Sequence, residues 1–213
     1  KDYVTLTKPR IILLLLITAL GGMFLAADGL PGFPLVALVL LGGTLASGGA
    51  NALNHYLDSD IDGQMTRTSN RPVVVGRIPP YHAFVFGVAL NIIAFGLLST
   101  YVNTLSAVLT LGATLFYVFV YTKGLKRTTP QNIVIGGAAG AIPPVVGWTA
   151  VTGGLDLPAL YLFAIIFFWT PPHFWALSLL LKDDYARAKV PMLPVIVGVD
   201  ETKKSIFLYT LLI

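Results

Sequence analysis

Six continuous apolar runs, at about 11–27, 35–57, 81–99, 104–121, 133–152 and 157–181, dominate the sequence. Each has roughly 17 to 25 residues, the length a helix needs to cross hydrocarbon. A seventh run starts at 206 and reaches only Ile213. Backbone groups in lipid must bond within their own segment, so runs of this kind form helices. They do not alternate as the strands of a membrane barrel do. Only 11% of the residues are charged, against about 25% in soluble domains, too few to cover a water-facing surface. The fold class that follows is all-α: a polytopic transmembrane helical bundle whose solvent is the lipid bilayer. Cys is absent, which removes disulfides, thiolate metal sites and a Cys nucleophile.

The charges then set the topology. With alternating spans, one side receives the N-terminal segment and the loops near 58–80, 122–132 and 182–205. Those stretches hold all 14 Lys and Arg residues, and the opposite loops hold only Asp28 and Asp156. By the positive-inside rule the N-terminus and these loops face the cytoplasm; the membrane itself is expected to be a bacterial plasma membrane or a mitochondrial inner membrane. The net charge of +4 therefore reports topology. Outside the spans no basic and aromatic surface is left for nucleic acid.

Residues 1–213 read as one transmembrane domain with no soluble module. The chain starts at Lys1 rather than Met, and its last apolar run stops after eight residues, so the final helices are expected to be missing. Small residues gather at Gly42-Gly43, Gly48-Gly49 and 136–141, where helices can approach closely. Pro143-Pro144 and Pro171-Pro172 fall inside spans. They should kink or interrupt those helices and free backbone groups that protein or a cavity must cover.

Two acidic clusters carry the chemistry. In Asn54-His55-Tyr56-Leu57-Asp58-Ser59-Asp60-Ile61-Asp62, a persisting helix would put Asn54, Asp58 and Asp62 on one face, since each step of four advances only about 40 degrees. Oxygen ligands in that row suit Mg2+, which is held through one or two carboxylates plus substrate phosphates. The second cluster, Asp183-Asp184, follows the sixth run on the same side. Two such clusters across a bundle mouth could clamp one diphosphate between metals. Arg67, Arg71, Lys123, Lys126 and Arg127 would supply further phosphate contacts. A solvated, topology-setting loop is the bland reading of any one of these bases. It fits the regular Asn54, Asp58, Asp62 spacing poorly, because acids contribute little to topology. Asp60 points to another face, and Lys182 reads as a snorkelling helix end.

At these residues the chain resembles the UbiA superfamily of intramembrane aromatic prenyltransferases. The resemblance is carried by N-x-x-x-D-x-x-x-D at Asn54, Asp58 and Asp62, by Arg67 and Arg71-Pro72, and by Thr7-Lys8-Pro9-Arg10 before the first span. Two stretches narrow it to the branch that farnesylates heme: Pro171-Pro172-His173-Phe174-Trp175-Ala176-Leu177, and Asp183-Asp184-Tyr185 through Ala188 to Pro191-Met192-Leu193-Pro194. The resemblance implies nine transmembrane helices, Mg2+ as cofactor, farnesyl diphosphate and heme b as substrates, and heme A synthase as a candidate partner. The superfamily's second motif is usually D-x-x-x-D. Here Asp183 is followed at that spacing by Arg187, and Asp184 by Ala188, which leaves open which of the two acids binds metal.

The resemblance also implies the chemistry: ionisation of the allylic diphosphate, attack by a heme vinyl group and addition of water. His173, at depth in the sixth run, is expensive there and marks function. It is a candidate ligand of heme iron or a donor to a carbonyl freed near the proline pair. His55 is expected at the interface and His82 at the surface. Three other readings compete: prenylation of a quinone precursor or other aromatic acceptor, a transporter with a cytoplasmic acidic ion site, and a heme-handling assembly factor without catalysis.

Overall fold

The computed structural model describes residues 1–213. It is built of helices alone. In chain order they are α1 (Asp2–Thr7), α2 (Pro9–Ala26), α3 (Phe33–Leu57), α4 (Ser59–Asp62), α5 (Pro80–Tyr101) and α6 (Thr104–Leu115). A π-helical segment (Phe116–Leu125), α7 (Lys126–Thr128), α8 (Asn132–Thr152), α9 (Leu157–Leu180), α10 (Lys182–Arg187), α11 (Leu193–Ile196) and α12 (Gly198–Thr210) follow. Six stretches are long and apolar enough to span a membrane: α2, α3, α5, Thr104–Thr128, α8 and α9. They coincide with the six apolar runs to within a few residues, except for the fourth.

That fourth span differs from expectation. Residues 122–128, read as the start of a basic loop, remain helical because the backbone shifts to π-helical winding over Phe116–Leu125. The loop shrinks to 129–131. The other basic loops also carry short helices, and the last helix starts at Gly198 rather than 206. Neither proline pair interrupts its helix: α8 runs through Pro143-Pro144 and α9 through Pro171-Pro172. Pro171 and Pro172 are buried among neighbouring helices, and the Pro143-Pro144 pair borders an internal cavity, so the lost backbone bonds do not break the spans.

α8 packs against α2, α6 and α9, and α3 packs against α5. The α2–α8 crossing is backbone on backbone. A Cβ on Gly22 would lie 2.1 Å from the Pro144 carbonyl oxygen, and one on Gly147 would lie 1.9 Å from that of Ala19. Small residues allow this approach, as is usual where lipid gives helices no hydrophobic reason to associate. At the end away from the acidic clusters, Asn103 caps α6 by accepting from the Ser106 N–H and donates to the Thr149 carbonyl, both at 2.8 Å. Leu13, Leu14, Ile17, Ile92, Leu160 and Ile165 are exposed on the outside. An apolar exterior around a core of small and polar residues is what a lipid solvent selects.

Candidate functional site

The site forms where α3 ends. α3 stops at Leu57, and Asp58 leaves helical geometry (φ −95°, ψ 7°). The i→i+4 pattern nevertheless carries across the break: the Asp58 N–H bonds the Asn54 carbonyl at 2.9 Å, and the Asp62 N–H bonds that of Asp58 at 2.8 Å. Asn54, Asp58 and Asp62 are thereby drawn together although the helix is not continuous. All three are buried, at 3%, 0% and 2% exposure.

Each has a cationic or polar partner. Lys126 Nζ donates to Asp58 Oδ2 at 2.5 Å, and Arg71 Nη1 pairs with Asp62 Oδ2. Asn54 Nδ2 donates to Asp58 Oδ2 at 2.7 Å and to Thr122 Oγ1 at 3.3 Å. Asp58 Oδ1 is buried without a hydrogen bond; an Arg127 guanidinium nitrogen lies 3.6 Å away.

The π-helical segment decides which bases face this site. It carries Tyr117, Tyr121 and Thr122, and α7 follows with Lys126; Tyr117, Tyr121 and Lys126 line one cavity. The tyrosine rings stack with centroids 5.6 Å apart. Lys123 is left exposed and outside the cavity wall. Short π-helical stretches are commonly found at functional sites. Arg127 is committed elsewhere: it forks onto Asp60 and donates to the Leu57 carbonyl at 2.7 Å. Asp60, placed by the sequence on another face from Asp58 and Asp62, is thus the anchor of the α7 turn. The hydrogen bond from Arg127 holds the Asp60 carboxyl below the usual range, outweighing its slight burial.

Lys8 is the site residue that the motif reading passed over. It lies between α1 and α2 with left-handed backbone (φ 56°, ψ 64°), a conformation uncommon for a residue with a Cβ. Its ammonium donates to Asn54 Oδ1 at 2.7 Å and lines the cavity. Burial, with the charges of Arg71 and Lys126 nearby, pulls its pKa down to about 7. Its sequence signal was the Thr7-Lys8-Pro9-Arg10 stretch before the first span, which carried the family resemblance without assigning Lys8 to the site.

The second acidic cluster meets the first at the same end of the bundle. Asp184 accepts from Thr66 Oγ1 at 3.1 Å and from the Arg67 N–H at 3.5 Å, and pairs with Arg187. Beneath this contact Ile61 and Met65 pack with Tyr185, Ala188, Val190 and Met192. The Pro191–Pro194 stretch therefore seats the second acidic segment on the first. Tyr185 and Arg67 line the cavity; Asp183 is exposed, and neither Asp183 nor Asp184 is part of the wall. Lys182 is half-buried at the end of α9.

The cavity has a volume of about 370 Å³. Its mouth carries Lys8, Asn54, Asp62, Arg67, Arg71 and Lys126, and its depth is apolar, with Ala19, Val39, Ala46, Ile142, Pro143 and Val146. Ala139 and Gly140 also line it. Pro143 and Pro144 have no N–H to bond the carbonyls four residues back, which are those of Ala139 and Gly140. Phe174 of α9 lines the cavity while being 39% exposed.

His173, next to Phe174 in sequence, is exposed and stacked on Trp169 with centroids 4.3 Å apart. It bonds no freed carbonyl. His55 departs from the interfacial placement expected of it: it is buried, at 2% exposure, with both ring nitrogens unpartnered. His82 is exposed, as expected.

The donor set suits Mg2+. No three His, Asp or Glu side chains close on one point. Asp62 offers hard oxygens at the cavity wall; Asp58 is fully buried and is not part of the wall, and its Oδ1, without a hydrogen bond, lies 3.6 Å from Arg127. Mg2+ is typically bound by one or two carboxylates and completed by phosphates and water, and the cations around the mouth could hold those phosphates.

The fold and the site define a class: a polytopic intramembrane protein with a charged mouth over an apolar chamber. More narrowly, the chain belongs to the UbiA prenyltransferase family, which it matches over residues 15–213. It is 55% identical to a protoheme IX farnesyltransferase of Synechocystis sp., over 100% of this chain and 67% of that protein. It is 54% identical to one of Roseiflexus sp., over 99% of this chain and 40% of that protein. The chain thus spans between two fifths and two thirds of the length of these two relatives. Among solved structures, a UbiA homolog from Archaeoglobus fulgidus bound to GPP and Mg2+ superposes with a TM-score of 0.81. It has 20% identity, and the match covers 99% of this chain and 74% of that one. The apo structure of a UbiA homolog from Aeropyrum pernix gives 0.78 at 19% identity, covering 96% and 75%. At such identities the likeness is one of fold.

Proposed function

We propose that this chain transfers the farnesyl group of farnesyl diphosphate to heme b, making heme O. The observation that carries the reading is the names of its relatives: proteins 53–55% identical along essentially the whole chain are protoheme IX farnesyltransferases. The site is consistent with it. Lys126, Arg67 and Arg71 would bind the diphosphate, and Asp58 and Asp62 would hold Mg2+ against it, with Asp183 or Asp184 reaching a second ion. Bound Mg2+ would neutralise charge building on the leaving diphosphate.

The chain's own groups do the remainder. The apolar depth takes the isoprenoid tail and excludes water, which would otherwise quench the allylic cation. A volume of about 370 Å³ is at the low end for ligand pockets and would take one isoprenoid chain. Heme would approach beside Phe174, with His173 at hand as a contact. The C1–O bond breaks with its electron pair leaving on diphosphate. A heme vinyl carbon bonds C1, and hydroxide from water adds to the neighbouring vinyl carbon as a proton is released. The mouth would face the cytoplasm of the plasma membrane.

The test is to incubate the full-length protein in nanodiscs with heme b, farnesyl diphosphate and Mg2+, and to weigh the porphyrin by mass spectrometry. The expected product is heme heavier by one farnesyl group and one hydroxyl, absent when EDTA is added. Prenylation of a phenolic acceptor instead of heme, or product formation unaffected by EDTA, would overturn the proposal.

A further inference from the structure

We infer that Lys8 is a positioning residue of the metal and diphosphate site, acting through Asn54 on Asp58; this rests on the prenyl-transfer reading above. Three independent features hold the residue in place. Its left-handed backbone at φ 56° is a costly conformation of the kind that persists where the surroundings over-determine it. Asn51, one turn before Asn54 on α3, donates to the Thr7 carbonyl at 2.8 Å and fixes the corner. The Thr7 side chain lies against Gly48, where a Cβ would fall 3.2 Å from it.

From that corner the ammonium meets Asn54 Oδ1 at 2.7 Å, while Asn54 Nδ2 meets Asp58 Oδ2 at 2.7 Å. The chain of bonds settles the orientation of Asn54. Lys8 has only donors, so the oxygen of the Asn54 amide must turn to it and the NH2 must turn to Asp58. With Asn54 and Lys126 both on Oδ2, Oδ1 of Asp58 is the oxygen left without a hydrogen bond. Lys8 thereby fixes the Asn54 amide so that its NH2, together with Lys126, holds Asp58 by Oδ2, and Asn54 becomes a donor that orients the carboxylate rather than a ligand. Loss of such an outer partner typically weakens metal binding about 10- to 100-fold.

The experiment measures binding of Mg2+ with inorganic pyrophosphate by calorimetry on the full-length protein in nanodiscs. It is paired with the KM for farnesyl diphosphate and kcat. Lys8→Met should weaken Mg2+ binding about tenfold or more. Lys8→Arg, which keeps a charged donor, should recover most of it and guards against a Met variant that fails to fold. The double variant Lys8→Met/Asn54→Ala should bind no worse than Asn54→Ala alone, because the two residues act as one unit. Wild-type Mg2+ affinity in a folded Lys8→Met, no recovery in Lys8→Arg, or additive losses in the double variant would each overturn the inference. Because binding is read with pyrophosphate, the result stands apart from whether heme is the acceptor, which only the wild-type transfer assay addresses.

Discussion

Arg127 and Asp60 face each other fork to fork, with Nη1 2.7 Å from Oδ2 and Nη2 2.8 Å from Oδ1. Arg127 also donates to the Leu57 carbonyl, one residue before Asp58. This clamp ties the end of the fourth span to the end of the second and brings Lys126 onto Asp58. Arg127→Gln should therefore lower transfer several-fold through misplacement of Lys126. The exchange variant Asp60→Arg/Arg127→Asp should recover part of the loss. Steady-state kinetics on the three proteins checks this.

The same pair sets an acid limit. Hydrogen bonding to Arg127 lowers the Asp60 pKa in the folded protein. A lowered carboxylate pKa contributes stability above the unfolded value of about 3.9, and that contribution is lost as pH falls through the folded value. Melting curves of wild type and Asp60→Asn should keep a constant separation from pH 7 to about 5 and draw together as pH falls below about 4. A separation that did not shrink below about pH 4 would contradict the clamp.

Asp58 and Asp62 are buried carboxylates with cationic partners, and they carry the proposed ion site. Asp58→Asn and Asp62→Asn keep shape and remove charge. Each should reduce transfer by about 100-fold or more, the scale of losing one transition-state electrostatic contact, while the protein still purifies as a folded species. Asp58→Ala should in addition melt earlier, since it strands the Lys126 ammonium at 14% exposure. Breaking such a pair costs about 3–5 kcal/mol.

A Cβ on Gly147 would fall 1.9 Å from the Ala19 carbonyl oxygen, whereas one on Gly21 meets nothing within 4 Å. Gly147→Ala should force α2 and α8 apart at a cost of about 1–3 kcal/mol or more, and Gly21→Ala should be neutral. Thermal unfolding in detergent separates them.

Gly140 lines the cavity, and a Cβ there also meets open space. Gly140→Leu should fold normally and fill part of the chamber. Competition between geranyl and farnesyl diphosphate should then shift several-fold toward the shorter chain. An unchanged ratio would show that the tail does not pass Gly140.

What the sequence determined alone was whatever depends on the solvent and on local period. Apolar length fixed the six spans, because lipid forbids unpaired backbone over hydrocarbon. The clustering of every Lys and Arg on one side fixed which ends lie together. The four-residue spacing of Asn54, Asp58 and Asp62 kept them together, even though the helix breaks at Asp58. Tertiary structure decided which neighbours those groups received. Lys126 meets Asp58 across 68 residues of chain, and Lys8 meets Asn54 across 46. No local pattern encodes contacts at such separation. The choice of Lys126 over Lys123 for the cavity depends on a π-helical turn, which differs from an α-helical one by a single hydrogen-bond step and leaves no trace in an apolar run. His173 reads from sequence as a polar group at membrane depth; only the structure shows it exposed and stacked on Trp169.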